Sequence, residues 1–159
     1  MNFSPDQMSD LRAFIRESNR IEGITRAPIK KEIAAHEFFL AHGAPDIGTM
    51  TAFVWSVAGK PIRAREGMNV RVGSHVAPPG GPEILTRLGL ILHGAHRGDD
   101  PYLVHRDYET LHPFMDGNGR SGRALWLWQM LRTDDPYVLQ RGFLHTWYYQ
   151  SLSVRRSEG

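Results

Sequence analysis

Residues 112–123 bring together the side chains that a phosphate-transfer site requires. They read His-Pro-Phe-Met-Asp-Gly-Asn-Gly-Arg-Ser-Gly-Arg. His112 is the group in this run that can accept a proton near neutral pH. Asp116 stands just before the glycines, and one carboxylate beside phosphates is the usual protein contribution to a magnesium site. We therefore predict a site that holds a magnesium-bound polyphosphate while His112 removes a proton nearby.

The glycines of this run indicate an anion-binding turn. Gly117 and Gly119 allow backbone N–H groups to turn inward around a small concave site. The turn leads into a predicted helix over residues 120–131, and a helix N-terminus favours negative charge. Arg120 and Arg123 are three residues apart, so both are expected near one face of the first helical turn. Their planar guanidinium groups suit phosphate oxygens.

Two other motifs overlap this region but lack the surroundings that they need. The three glycines within residues 117–122 have the spacing of a dinucleotide-binding fingerprint, which requires a preceding strand and an acidic residue about 20 positions later. The preceding segment is predicted to be helical, and Asp134 and Asp135 come too early. His105-Arg106-Asp107 matches the start of a protein-kinase catalytic loop, but His112 stands where that loop carries Asn. Neither a Rossmann fold nor a kinase is expected.

Composition sets the broad class of the protein. The chain has 159 residues, enough for one domain with a sizeable core, and residues 1–159 are expected to form a single domain. A net charge of only +2, with scattered basic residues, argues against nucleic-acid binding. The absence of cysteine excludes disulfides and thiol chemistry. Because neither a signal peptide nor a membrane span is recognisable, we expect a cytoplasmic protein without membrane contacts, and homo-oligomerisation is left open.

The apolar spacing predicts a mostly helical chain. The first helix should begin with Ser4 as N-cap, Pro5 in its first turn and Gln7 completing a capping box. The second helix is predicted to turn its apolar positions towards the core, namely Ile29, Ile33, Phe38 and Leu40. The later helices are predicted over residues 28–41, 46–58, 83–96, 101–111, 120–131 and 143–152.

Residues 60–79 interrupt the helical pattern. Residues 61–65 and 68–72, separated by Glu66-Gly67, are predicted to pair as a short β-hairpin. An exposed hairpin in a helical protein offers an unpaired strand edge, which can bind an extended segment of another protein through main-chain hydrogen bonds. The alternative interpretation is a simple connector between helices. The predicted fold class is all-α with one small hairpin.

The run at 112–123 also matches the HxFx(D/E)GNGRxxR signature position by position, and the chain resembles the Fic family of nucleotidyl transferases. Residues 102–112 are similar to the helix that leads into this signature, residues 69–79 resemble the family's flap, and residues 143–152 resemble its closing helix. The resemblance implies the fido fold, a helical bundle with one small β-hairpin flap.

The resemblance further implies a protein adenylyltransferase, or AMPylator. His112 would be the general base that deprotonates a hydroxyl of a target protein, and that hydroxyl would attack the α-phosphate of ATP and release pyrophosphate. Charge stabilisation and positioning are what such a reaction mainly requires. The implied binding residues are Asp116 for Mg²⁺, Gly117, Asn118 and Gly119 for the transferred phosphate, Arg120 and Arg123 for the β and γ phosphates, and Val70, Arg71, Val72 and Gly73 in the flap for the target protein.

A second match concerns regulation. Ser18, Glu22 and Gly23 fit the family's inhibitory pattern, (S/T)xxxE(G/N), and residues 1–24 would form an N-terminal inhibitory helix. By this resemblance Glu22 would pair with Arg123 and exclude the γ-phosphate from a productive position. The physical reason is that a carboxylate and a phosphate compete for the same guanidinium group.

Two alternatives to the adenylyltransferase remain open at this stage. The first is another Fic-type phosphate transfer, with a different nucleotide or with removal of AMP that uses Glu22. The second is a non-catalytic binding module, against which the retention of both His112 and Asp116 argues. His93 and His96 have helical spacing but no evident third metal ligand, so a surface or structural role is predicted for them.

Overall fold

A computed structural model describes residues 2–133 and Leu139. Within these residues the chain forms six helices and one two-stranded antiparallel sheet, which confirms the predicted all-α architecture with one small hairpin. None of the helices in this part of the chain is long and apolar enough to cross a membrane. The predicted helix over residues 143–152 lies outside the described residues. The elements are α1 (Pro5–Ile21), α2 (Lys30–Leu40), α3 (Ile47–Ala58), β1 (Arg71–Val72), β2 (His75–Val76), α4 (Pro82–His96), α5 (Pro101–Leu111) and α6 (Asn118–Met130).

Helix α6 is the centre of the bundle. It contacts each of the other five helices, and from Asn118 to Gln129 every residue except Gly119 is buried. Trp126 and Trp128 on this helix contribute to the core, as does Phe114 in the loop before it. A site at the start of α6 is therefore held by an element that packs against every other helix that the structure describes.

The N-terminal helix begins as predicted. The Ser4 hydroxyl accepts a hydrogen bond from the Gln7 N–H, and the Gln7 side chain accepts one from the Ser4 N–H. This capping box satisfies donors that a helix start would otherwise leave without partners. Leu11, Phe14 and Ile15 then face the core.

The prediction that α2 buries Phe38 was wrong. Phe38 is 65% exposed, whereas Phe39 is 1% exposed and packs on Phe53 with ring centroids 5.4 Å apart. The buried face of α2 includes the polar side chains of Glu32 and His36 as well as Phe39, at helical spacing. The predicted positions Leu40 and Ile33 do pack in or against the core, whereas Ile29 is exposed like Phe38. A search for apolar residues alone passes over Glu32 and His36 and therefore places the buried face only in part.

The predicted pairing of residues 61–65 with residues 68–72 was also wrong. In the structure β1 pairs with β2 through a short turn in which Gly73 has φ of 58°. Such two-residue turns match the twist of the flanking strands. Residues 61–63 instead run along the loop before α6, where Ile62 bridges Phe114. The observed turn at residues 73–74 thus lies seven residues after the predicted turn at residues 66–67. The segment before the hairpin supports the motif loop instead.

Candidate active site

One cavity collects residues from three distant stretches of the chain. It has a volume of about 470 Å³, within the usual range for small-molecule sites. It lies where the end of α1, the β1–β2 flap, the end of α5 and the start of α6 meet. Its lining consists of Ile21, Glu22, Val70, Arg71, Val72, Glu109, His112, Met115, Asp116, Asn118, Gly119 and Arg123.

His112 ends α5 in a strained backbone conformation. Its φ of 50° lies in the left-handed region, and it is the only non-glycine residue with positive φ in the described part of the chain. A side chain in this region costs on the order of 1 kcal/mol or more and persists where the surroundings hold it. Here the His112 carbonyl accepts a hydrogen bond of 2.6 Å from Nε of Arg63.

The imidazole of His112 is arranged to accept a proton. Its Nδ1 lies 2.7 Å from the carbonyl oxygen of Glu109. Because a carbonyl can only accept, Nδ1 carries the hydrogen and Nε2 carries the lone pair. Burial lowers the pKa of His112, and the nearby His75 and Arg63 act in the same direction. The ring is therefore neutral at pH 7, as a general base must be.

The motif loop is fixed by the side chain of Asn118. Its Oδ1 accepts from the Phe114 N–H at 2.9 Å, and its Nδ2 donates to the Phe114 carbonyl at 2.8 Å. Phe114 is itself fully buried. The Asn118 amide thus holds the loop rather than facing the cavity, and what Asn118 offers to an anion is its N–H in the first turn of α6.

Gly117 and Gly119 are required by space as well as by conformation. Gly117 has φ of 83°, and a Cβ on it would lie 2.9 Å from the Cβ of Ala58. A Cβ on Gly119 would overlap the carboxylate of Glu22. The start of α6 therefore presents bare backbone to the cavity, which is the arrangement that binds anions at helix N-termini.

Asp116 is an exposed carboxylate at the edge of the cavity. Its Oδ1 accepts a 2.7 Å hydrogen bond from the Gly117 N–H, which leaves Oδ2 for another partner. Among the residues that the structure describes, no group of three His, Asp or Glu side chains could hold a metal ion. Asp116 therefore fits Mg²⁺ only where phosphate oxygens and water complete the coordination, which is how this ion is usually bound beside nucleotides.

The two arginines of the motif diverge. Arg120 is buried, does not line the cavity, and donates from Nη1 to the carbonyl of Val57 at 2.7 Å, so it ties α6 to the last turn of α3. Arg123 lines the cavity. The spacing predicted one shared face for both, but the long side chains leave α6 in different directions.

Arg123 is held by the end of α1. Its Nε donates to the Ser18 hydroxyl at 2.8 Å, and its Nη2 donates to the Ser18 carbonyl at 3.0 Å and to Oε1 of Glu22 at 2.6 Å. Arg123 is 2% exposed and Glu22 is 34% exposed. Gly23, with φ of 78°, ends the helix directly after Glu22. Ser18 and Glu22 thus occupy the guanidinium that a phosphate would need.

A buried cluster on α2 fixes this end of α1. Glu32 accepts hydrogen bonds from Asn19 at 3.2 Å and from Arg26 at 2.8 Å. Burial alone would raise the pKa of Glu32, but Arg26 and the Ile29 N–H hold it below its ordinary value. Glu22 lies between Asn19 and Arg26 in sequence, so the ionised Glu32 anchors the chain on both sides of it.

The β1–β2 flap forms one wall of the cavity. Val70, Arg71 and Val72 line it, while Gly73 occupies the turn. From β2, Nε2 of His75 donates to the carbonyl of Thr110 at 2.9 Å, and its ring centroid lies 6.4 Å from that of His112. The flap is therefore attached to the end of α5 beside His112.

Sequence reasoning missed three residues of this site: Glu109, His75 and Arg63. Glu109 carried a local signal, because it precedes His112 by three residues on the same helix. Arg63 and His75 lie far from His112 in sequence, and only the fold brings them together. The surface or structural role predicted for His93 and His96 was confirmed, because both lie on the surface. His105 is buried and structural, with Nδ1 bonded to the Gly122 carbonyl at 3.0 Å.

Two comparisons with known proteins point to one family. Residues 95–130 match the model of the Fic/DOC family, so the match covers α5, the motif loop and α6. The fold is similar to the crystal structure of a Fic family protein from Desulfovibrio desulfuricans G20, with a TM-score of 0.63 and 20% sequence identity. The alignment covers 98% of this chain and 60% of that one, so the chain spans less than two thirds of its length. A comparison with curated proteins found no match.

Proposed function

We propose that this protein transfers AMP from Mg-ATP to a hydroxyl side chain of a target protein. The premise of this proposal is that the chain is a Fic (fido) domain protein with a Fic-type phosphate-transfer function. The observation that carries this proposal is the meeting of a neutral His112 and the bare N-terminus of α6 in one cavity. The first can deprotonate a hydroxyl, and the second can bind the phosphate that the hydroxyl attacks.

Each group in the cavity has a place in this reaction. The hydroxyl gives its proton to Nε2 of His112 and its oxygen forms the new bond to the α-phosphate, whose bond to pyrophosphate breaks. The N–H groups at the start of α6 bind the transferred phosphate. Asp116 would hold Mg²⁺, which would neutralise charge on the leaving pyrophosphate when bound. Val70 and Val72 in the flap place the target segment opposite the base.

The charges around the cavity make regulation by Glu22 part of the proposal. Three acidic residues, Glu22, Glu109 and Asp116, outnumber the two basic ones, Arg71 and Arg123, in its lining. A triphosphate would therefore meet net repulsion while Glu22 holds Arg123. Removal of Glu22 would free the guanidinium for the γ-phosphate and would lower the repulsion, so we infer that Glu22 autoinhibits the protein.

The reaction type is tested with the Glu22→Gly protein and two forms of labelled ATP. Label on the α-phosphate should appear on protein, and label on the γ-phosphate should not. The matched control, Glu22→Gly/His112→Ala, should still bind ATP but should transfer no label. Retention of the γ-label would identify phosphoryl transfer instead, and absence of both labels despite ATP binding and the presence of cell lysate would contradict the proposal.

A further inference from the structure

Arg63 is a buried cation that lies outside the motif and has no role in the reaction as described so far. It is fully buried, and its guanidinium donates to four backbone carbonyls. Their distances are 2.6 Å to His112, 2.7 Å to Leu111, 2.7 Å to Pro78 and 3.0 Å to Met68. Nε and both terminal nitrogens of this one side chain thus donate hydrogen bonds to main-chain oxygens.

The charge of Arg63 is balanced by carbonyl dipoles. In the described part of the chain no carboxylate forms an ion pair with it. Two of its partners, Leu111 and His112, lie at the C-terminal end of α5, where the helix dipole is negative. Burying a cation is costly, and an apolar side chain of similar size would often serve stability as well or better. A requirement for these four hydrogen bonds accounts for an arginine here.

The four carbonyls belong to two functional parts of the molecule. Leu111 and His112 carry the base, whereas Met68 and Pro78 lie on either side of the β1–β2 flap. The main chain of Arg63 also joins these two parts. Its N–H donates to the Pro113 carbonyl at 2.8 Å, and its carbonyl accepts from the Gly81 N–H at 3.0 Å. The stems of the flap and the backbone of the base are therefore bonded to one residue.

We propose that Arg63 is a positioning residue that holds the left-handed backbone of His112 and sets the flap at a fixed distance from its imidazole. The residue touches neither ATP nor target. It keeps Nδ1 of His112 on the Glu109 carbonyl, so that Nε2 faces the cavity, and it places the target segment on the flap within reach of that nitrogen. The kinetic consequence of this inference rests on the proposed function. The effect of Arg63 on the His112 ring does not.

The proposal is tested with Arg63→Lys and Arg63→Met in the Glu22→Gly background. Lysine keeps the charge but cannot span four carbonyls with a planar fork. The matched control is Arg132→Lys, because Arg132 also donates to three carbonyls, those of Leu40, His42 and Trp128, at a distance from the cavity. Four quantities are measured for each folded protein: ATP affinity, kcat, KM for the target, and the ¹⁵N shifts of the His112 ring, which report its tautomer.

In Arg63→Lys we expect ATP affinity within about twofold of the parent, a kcat lowered about 10- to 100-fold, and a His112 ring that no longer holds its hydrogen on Nδ1 alone. Arg132→Lys should match the parent in all four. A folded Arg63→Lys protein with the kcat and the ring shifts of the parent would overturn the proposal. Loss of folding in both Arg63 variants would also overturn it, because Arg63 would then serve stability alone. If the parent itself transfers nothing, the proposed function fails, and the ring shifts still decide the role of Arg63.

Discussion

At the residue scale, the side chains of the motif divide into those that face the cavity and those that build it. His112, Asp116 and Arg123 line the cavity, whereas the Asn118 side chain and Arg120 bond to backbone carbonyls. The sequence predicted which residue types would gather here because the chemistry requires them. It could not separate the two groups, since the direction of a long side chain depends on partners such as Val57 that lie elsewhere in the chain.

The first prediction concerns pH. Burial lowers the pKa of His112 below its ordinary value of 6.5, and the base acts in its unprotonated form. The transfer rate of Glu22→Gly should therefore be level near pH 7 and should fall only as the pH drops through a value below 6.5. A rate profile for kcat between pH 5 and 9, with ATP and target saturating, measures this. A loss of rate that begins above pH 7 would show that His112 is not the neutral base described here.

The second prediction separates the two arginines of the motif. In the Glu22→Gly background, Arg123→Met should weaken ATP binding by about tenfold or more, because a charged hydrogen bond to phosphate contributes about 1.5–3 kcal/mol. Arg120→Met should leave ATP affinity within about twofold and lower the free energy of unfolding by about 1–3 kcal/mol, because it leaves the Val57 carbonyl without its donor. Calorimetric titration with ATP and denaturant unfolding provide the two readouts. An equal loss of ATP affinity in both variants would place Arg120 on the phosphates instead.

At the scale of elements, helix ends and turns were the most predictable features. Ser4, Asp46 and Gly59 mark helix boundaries by local hydrogen bonding or by positive φ, so their positions follow from a few neighbouring residues. The hairpin was predicted in the right stretch but with the wrong partners, because residues 61–63 are paired with the loop that contains Phe114. That loop lies about fifty residues later, and no local pattern reports such a contact.

The third prediction concerns the exposed edge of the flap. Val72 pairs with His75 across the short turn, and Arg71 pairs with Val76 one step further out. Since bonded and non-bonded pairs alternate in an antiparallel ladder, the N–H of Arg71 points away from β2, on the side where a docked segment would add a strand. Arg71→Pro removes this donor and should raise KM for the target about tenfold, whereas its loss of ATP affinity, which comes from the missing positive charge, should equal that of Arg71→Ala.

The control for the flap is Arg71→Ala, which removes the side chain but keeps the N–H group. Its KM for the target should lie closer to that of the parent than to that of Arg71→Pro. If the two variants label the target equally well, the flap edge does not bind the target through main-chain hydrogen bonds.

At the scale of the whole molecule, the bundle places polar groups in its core where they control both stability and the site. His36 on α2 is buried between Phe14 and Phe53, with Nδ1 on the Glu32 carbonyl at 2.7 Å. The same helix carries Glu32, which anchors the end of α1 and with it Glu22. The core that supports the fold therefore also sets the position of Glu22.

The fourth prediction is an acid sensitivity of the fold. Burial lowers the pKa of His36 to about 4, whereas in the unfolded chain it should be near 6.5. Between these two values the unfolded state binds more protons, so the free energy of unfolding falls as the pH drops from 6.5 to 4, by roughly 3 kcal/mol for this residue. In His36→Leu that part of the pH dependence should disappear, as measured by denaturant unfolding at pH 7 and pH 5. The exposed His96→Gln serves as control, and an unchanged pH dependence in His36→Leu would remove His36 as its source.

The measurement that tests the central claim most directly is the rate of adenylyl incorporation, followed by intact mass, in the wild-type protein and in Glu22→Gly, each with Mg-ATP and cell lysate. Because Glu22 holds Arg123 at 2.6 Å, its removal should raise the rate about tenfold to a hundredfold while ATP binding is retained. The added mass should equal one adenylyl group per modified site and should be absent in Glu22→Gly/His112→Ala. Equal rates in wild type and Glu22→Gly would contradict the claim that Glu22 restrains transfer at this site.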